Sequence, residues 1–214
     1  MSKCILIGGG DSVNEGRALD LWTKIKGEDI YSVNYAFLAM PYLPQHEVWV
    51  DTGFFRNNLQ RIEDLHKAGV ECVTKANARY NGISGIKQEQ VNKTGKSTDG
   101  GLYTGTMGLS GTFALSLAVQ REYDTIYILG YDYGTNSLNN TNTHFYQDDK
   151  VNYISHGVRN PKIYLERTNN VKASVNNYDY FKQFPCKIYN VSLRSNIATF
   201  EKIDYPTFFE KIKA

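Results

Sequence analysis

Three glycines follow a short apolar run. Cys4-Ile5-Leu6-Ile7 ends in Gly8-Gly9-Gly10, and Asp11-Ser12 then open a segment that can be helical. That pattern is a buried strand, a tight turn and a helix start. Glycine has no Cβ, so a ligand can approach its backbone. A helix N-terminus offers unpaired N–H groups and the positive end of a dipole, which suits a phosphate. Gly8-x-Gly10 lacks the third glycine of the dinucleotide fingerprint. The turn on its own is therefore a general nucleotide signal, and a strand-to-helix turn that binds nothing can have the same residues.

Other residue types carry chemistry further along. Met107-Gly108-Leu109-Ser110-Gly111-Thr112 precedes an apolar helix. Ser110 is a natural N-cap there, and a cap that faces a crevice can also hold a phosphate. In Gly130-Tyr131-Asp132-Tyr133 two tyrosines flank an aspartate, and tyrosine hydroxyls can donate to a leaving phosphate without a metal. His156, in Asn152-Tyr153-Ile154-Ser155-His156-Gly157, sits between a polar segment and a helical one, where an imidazole can act as a general base at neutral pH. His144, in Thr143-His144-Phe145-Tyr146, is a second candidate, while His46 and His66 read as surface positions. No Asp-x-Asp pair occurs, and Asp148-Asp149 are adjacent and splayed. A mechanism without a metal is favoured and no metal ligands are assigned, although Asp51 and Asp132 could share an ion.

These residues need elements to position them. Cys4–Ile7, Asp29–Val33, Glu47–Val50, Val70–Thr74, Thr125–Leu129 and Cys186–Val191 read as strands. Val13–Lys26 reads as a helix with Ala18, Leu19, Trp22 and Ile25 on one face. Asn57–Ala68 carries Leu59, Ile62 and Leu65 as a stripe ended by Gly69. Leu109–Arg121, Pro161–Phe181 and Pro206–Ile212 complete the helices. Ala78–Gly108 is polar and glycine-rich and reads as a β-excursion or long loop. Thr135–Lys150 is rich in Asn, Thr and Asp and reads as a mobile lid that extends to about residue 155.

Strand–helix alternation implies a single Rossmann-like α/β domain over residues 1–214, with a mostly parallel sheet and helices on both faces. In such sheets ligands bind beyond the carboxyl ends of the strands. That rule gathers Gly8, Gly9, Gly10, Asp11, Ser12, Asn34, Asp51, Ser110, Gly111, Gly130, Tyr131, Asp132 and Tyr133 along one edge as a nucleotide site.

The 214 residues suffice for one substantial core. A formal net charge of +2, with no Lys/Arg run, gives no stripe for a nucleic-acid backbone. Cys4, Cys72 and Cys186 lie in apolar runs and read as reduced, buried thiols. With no signal peptide and no apolar run near ~18 residues, the expectation is a cytoplasmic protein without a membrane span. The 16 tyrosines allow a polar cleft or a homo-oligomer.

Six segments together resemble bacterial lipooligosaccharide sialyltransferases and the related 6-hydroxymethylpterin diphosphokinase-like (MptE-like) proteins. Gly-Gly-Gly-Asp-Ser at 8–12 resembles their Gly-x-Gly-Pro-Ser turn. Tyr31-Ser32-Val33-Asn34-Tyr35-Ala36-Phe37 resembles the second-strand Cys-Asn-Gln-Phe segment, and Leu109-Ser110-Gly111 the Thr-Ser-Gly motif. Thr125 to Tyr133 is similar to Glu-Ile-Tyr-Leu-Ser-Gly-Ile-Asp-Phe-Tyr. Tyr153-Ile154-Ser155-His156 resembles Tyr-Ile-Gly-His, whose histidine is the catalytic base. Lys187-Ile188-Tyr189 with Ser195 to Phe200 resembles the closing strand and Asn-Phe segment.

The resemblance implies a glycosyltransferase that uses a nucleotide-activated, cytidine-based sugar donor and an unnamed acceptor, with no cofactor required. By it, Gly10 and Ser12 would touch phosphate or ribose, Asn34 and Ser110 would hold cytidine monophosphate, and Tyr131 and Tyr133 would bind the leaving phosphate. His156 would be the base. At Asp51 the sialyltransferases carry an asparagine. An aspartate there is similar to the MptE-like branch, which implies as alternatives a Mg²⁺-dependent diphosphotransferase or a nucleotide-binding protein without chemistry.

Overall fold

The computed structural model describes residues 1–75, 86–89, 109–133, 144–147 and 175–214. Eight strands form one sheet: β1 (Lys3–Ile7), β2 (Ile30–Val33), β3 (His46–Trp49), β4 (Glu71–Lys75), β5 (Ile86–Glu89), β6 (Thr125–Leu129), β7 (Lys187–Asn190) and β8 (Glu201–Lys202). Their spatial order is β5-β4-β3-β2-β1-β6-β7-β8, and every pairing is parallel. The order reverses at β1, which pairs with β2 on one side and β6 on the other. A crevice therefore opens beyond the carboxyl ends of β1 and β6, where parallel sheets of this kind bind ligands. This is the Rossmann-like α/β architecture expected from the strand–helix alternation.

The strands read as continuous apolar runs because both faces are covered. On one face Ile5, Ile7, Ile30, Trp49, Tyr127 and Leu129 pack against α1 (Val13–Arg17), α2 (Leu21–Lys24), α3 (Thr52–Lys67) and a C-terminal helix, α5 (Tyr205–Lys213). On the other, Cys4, Leu6, Tyr31, Val48, Val73, Ile126 and Ile128 pack against α4 (Ser110–Gln120) and the 3₁₀ segment Val175–Gln183. Each fully buried Leu, Ile or Phe contributes about 1.5–3 kcal/mol. All three cysteines are free thiols; Cys4 and Cys72 are buried and Cys186 half-buried.

Several elements differ from the sequence expectation. The helix read over Val13–Lys26 is two short helices. They are separated by an exposed turn in which Asp20 adopts φ 62°, so Ala18 and Leu19 face solvent. Gly16 packs so tightly under Tyr205 of α5 that a Cβ would overlap the ring. α3 starts at Thr52 rather than Asn57 because the Asp51 carboxylate accepts from Gly53 N at 2.6 Å and caps it. Within the expected excursion, Ile86–Glu89 is an edge strand on β4, and the rest of 78–108 lies outside the described residues.

His46 is not a surface residue. It lies at the amino-terminal edge of the sheet, stacked on Tyr31 with ring centroids 4.0 Å apart. Its Nε2 is 2.9 Å from Asp29, its Nδ1 meets Glu71, and Arg121 reaches both Glu71 and the Tyr31 hydroxyl at 2.8 Å. Burial alone would raise the Asp29 carboxyl, but hydrogen bonds from His46 and Tyr123 outweigh it and hold it below the usual range. The network ties β2, β3, β4 and α4 together at the edge opposite the crevice.

Candidate nucleotide site

The turns after β1 and β6 are built into one another. Gly8 N donates to Leu129 O and Gly10 N to Gly130 O, both at 2.8 Å. A Cβ on Gly8 would lie 2.8 Å from Gly130 O, and one on Gly10 would lie 2.5 Å from Asp132 Oδ2 and 2.6 Å from Gly130 O. Gly130 itself sits at φ 69°. The glycines at 8, 10 and 130 are thus required by two strand ends approaching each other. The sequence expectation had reserved that space for a ligand.

Ser12 departs from its expected role in the same way. It is fully buried, its N–H reaches Asp132 Oδ2 at 2.8 Å, and its hydroxyl donates to Asp132 Oδ1. The anion expected at these donors is therefore the protein's own carboxylate. The physical reason for an anion there is unchanged: the N–H groups at the start of a helix favour negative charge. Asp11 accepts from Asn14 Nδ2 at 3.0 Å and faces Arg194 at 3.5 Å. Arg194 also pairs with Glu15 at 2.7 Å, and a lone loop arginine gave no signal in the sequence.

Along the edge, Asn34 follows β2 in a left-handed conformation, φ 57°. Non-glycine residues adopt that conformation at a cost, and asparagine most readily. Its Oδ1 accepts from Ser110 Oγ at 3.0 Å, and Ser110 Oγ accepts from Val50 N at 3.2 Å. Ser110 is the first residue of α4 rather than its cap, and its buried hydroxyl joins the ends of β2 and β3 to the helix start. Asp51, next along the edge, is exposed and capping α3.

The tyrosines lie behind this edge. Tyr131 is buried, donates its hydroxyl to Gly111 O at 3.2 Å, and packs so close to Gly111 that a Cβ there would lie 2.9 Å from its ring. A direct phosphate contact from Tyr131 does not fit that placement. Tyr133, at φ 47°, shares a hydrogen bond with Tyr178 OH at 2.7 Å, and Asn196 Nδ2 holds its carbonyl at 2.9 Å. Burial pushes all three phenols above the usual tyrosine range, so they are neutral donors.

The expected lid contributes one described segment, His144–Gln147, of which Phe145–Gln147 is 3₁₀. His144 makes a single antiparallel bridge to Gly10, and Phe145 N donates to Gly9 O at 3.0 Å. His156, and the remainder of 135–155, lie outside the described residues. Among the described residues, no group of three His, Cys, Asp or Glu side chains could hold a metal ion, and no helix is long and apolar enough to cross a membrane.

The fold is that of bacterial sialyltransferases. Sialyltransferase CstII from Campylobacter jejuni, in complex with the substrate analogue CMP-3FNeuAc, matches with a TM-score of 0.54 at 12% identity, covering 95% of this chain and 86% of that one. CST-II in complex with a trisaccharide acceptor and CMP gives 0.51 at 12% identity, over 94% and 86% of the two chains. The monofunctional alpha-2,3-sialyltransferase Cst-I from Campylobacter jejuni gives 0.52 at 12% identity, over 94% and 79%. No protein-family model matches the sequence, and no curated protein does. At 12% identity the likeness establishes the fold, and the reaction has to be argued from the residues.

Proposed function

We propose that this chain, as one domain over residues 1–214, is a sialyltransferase-like glycosyltransferase that takes a CMP-activated sugar at the carboxyl edge of its sheet. The observation that carries the reading is the Asn34–Ser110 pair, 3.0 Å apart at that edge. The two motifs that resemble the cytidine-holding segments of the sialyltransferases meet here, although 75 residues separate them in the chain. The bound ligands named for CstII, CMP and CMP-3FNeuAc, support the same donor class.

In this reading Asn34 and Ser110 hold the nucleotide, and the turn from Gly8 to Ser12, fixed by Asp132, forms the floor of the crevice. Gly111 and Gly130 give the close packing that sets its walls. His156 removes the acceptor hydroxyl proton, the oxygen attacks the anomeric carbon, and the sugar–phosphate bond breaks with CMP as leaving group. Tyr133 orients the phosphate side from beneath, with Tyr131 as its packing support. In this reading no divalent ion takes part, and Asp132 serves the fold by accepting from Ser12 N at 2.8 Å.

One observation favours a second reading. Asp51 is exposed at the end of β3, where a carboxylate can also hold Mg²⁺ on a triphosphate, as an MptE-like diphosphotransferase would require. Incubation with CMP-sialic acid and with ATP, each with and without EDTA, separates the readings. Sugar-nucleotide cleavage that survives EDTA supports the glycosyltransferase. Metal-dependent ATP turnover supports the diphosphotransferase, and nucleotide binding without turnover defeats both.

A further inference from the structure

The groups expected to face a donor phosphate are engaged inside the protein, but not all in the same sense. Gly8 N donates to Leu129 O and Gly10 N to Gly130 O, Ser12 donates to Asp132, and Tyr131 donates to Gly111 O. Each of these protons has an acceptor within the fold. Tyr133 differs, and the difference lies in its partner Tyr178, on the 3₁₀ segment Val175–Gln183.

A hydroxyl has one proton to donate and two lone pairs with which to accept. Among the described residues the Tyr178 hydroxyl meets two oxygens: Thr112 Oγ1 at 3.5 Å, which donates to it, and Tyr133 Oη at 2.7 Å. Tyr178 is fully buried, so its own proton needs an acceptor, and with Thr112 donating that acceptor is Tyr133. Tyr133 is thus an acceptor in this chain and keeps its proton. It is also the half-exposed member, and its hydroxyl would lie 3.2 Å from a Cβ on Gly111, in the first turn of α4 beside Ser110. Burial raises the Tyr133 phenol, and the hydrogen bond from Tyr178 offsets part of that rise. Both ends of the side chain are fixed. Asn196 Nδ2 donates to Tyr133 O at 2.9 Å and Asn196 N to Asp132 O at 2.8 Å, which secures the left-handed backbone of Tyr133. Tyr178 sits edge-on to Phe200 with centroids 6.0 Å apart and against Phe181 at 6.1 Å.

Resting on the donor-site reading above, we propose that Tyr178 is a positioning residue: it donates to Tyr133 Oη and so leaves the Tyr133 proton for the phosphate of the bound nucleotide. Thr112, Tyr178 and Tyr133 form one directed chain of hydroxyls, and each bond in such a chain polarises the next. Tyr178 touches no ligand. It acts through Tyr133, by occupying one lone pair of that hydroxyl from the buried side.

The test uses the full chain, with CMP and unphosphorylated cytidine as probes and affinities from calorimetry. Tyr133→Phe is expected to weaken CMP about 10-fold and Tyr178→Phe about 3-fold, with cytidine affinity unchanged in both. The double variant should bind CMP no worse than Tyr133→Phe, because Tyr178 acts only through Tyr133. Urea unfolding reads the direction of the chain without any nucleotide. Tyr133→Phe strands the buried Tyr178 proton and should lower the midpoint, and adding Tyr178→Phe removes that donor and should restore most of the loss. A double variant less stable than Tyr133→Phe overturns the assignment. So does a Tyr178→Phe protein that binds CMP as the natural one does, or that loses CMP and cytidine affinity equally; in each case CMP binding to the natural protein leaves the donor reading standing. No binding of either probe to the natural protein overturns both.

Discussion

The carboxylate of Asp132 lies 2.8 Å from the backbone nitrogen of Ser12, closing the turn after β1 onto the turn after β6. Two sequence motifs, each readable by itself as a ligand-binding turn, are in this structure each other's partner. The same approach leaves Gly10 wedged against Asp132 and Gly130.

Gly10→Ala is therefore expected to destabilise the fold by about 1–3 kcal/mol, the range for overpacking a rigid site. Asp132→Ala is expected to cost about as much, since it leaves the buried Ser12 N–H and hydroxyl without an acceptor. Urea unfolding followed by circular dichroism measures both. An unchanged midpoint for Gly10→Ala would show that the turn is open enough for a ligand to enter against its backbone.

Much of this fold was legible because β1, β2, β6 and β7 are short apolar runs bounded by polar or glycine residues, and that signal is local. The edge residues Gly8, Asn34, Asp51, Ser110 and Gly130 were legible through one topological rule applied to those strands. The partner of each side chain was not legible. Ser12 and Asp132 are 120 residues apart, and only the β1–β6 pairing brings them together. The break after α1 was hidden because Ala18, Leu19, Trp22 and Ile25 keep helical spacing while Gly16 yields to Tyr205 from the far end of the chain. His46 looked exposed because the residues that cover it come from β2, β4 and α4. The aromatic run His144-Phe145-Tyr146 inside a polar stretch was the available signal for a segment that docks.

Ser110→Ala removes the acceptor for Val50 N and the donor to Asn34 at once. The expected stability loss is about 1–3 kcal/mol, as for a buried donor left unpaired. CMP affinity is expected to fall at least ~10-fold by calorimetry, and Asn34→Ala is expected to lower it similarly. The double variant should be no worse than the more damaging single one, because the two side chains act as a unit. Additive losses would mean that they contact the ligand independently.

Glu47 is a buried carboxylate on β3, in register with Ser32 and Cys72, and neither of its oxygens has a hydrogen-bond partner among the described residues. Burial pushes its carboxyl well above the usual range, and the nearby Ser32 hydroxyl offsets only part of this. The folded state therefore keeps a proton that the unfolded chain releases above about pH 4.3. Its stabilising contribution is complete below that pH and declines, by up to about 1.4 kcal/mol per pH unit, as pH climbs toward the folded value. Unfolding midpoints at pH 5 and pH 8 should fall for the natural protein and much less for Glu47→Gln. Parallel curves would mean that the carboxyl gains a partner when it ionises.

The ranking of two variants separates the proposed reactions. If His156 is the general base, His156→Ala lowers turnover of a CMP-sugar by about 10²–10⁴ and leaves CMP affinity nearly unchanged, since the base acts on the acceptor. The pH–rate profile should lose its limb near the ordinary histidine value of about 6.5. Asp51→Asn should then cost little beyond the α3 cap, because asparagine also caps helices well. In a diphosphotransferase the order inverts: losing the Asp51 charge removes a metal ligand and with it the stabilisation of the phosphoryl group, while His156 is dispensable. A His156→Ala protein with natural turnover and an intact limb would transfer the base role away from His156 and sink the mechanism proposed above.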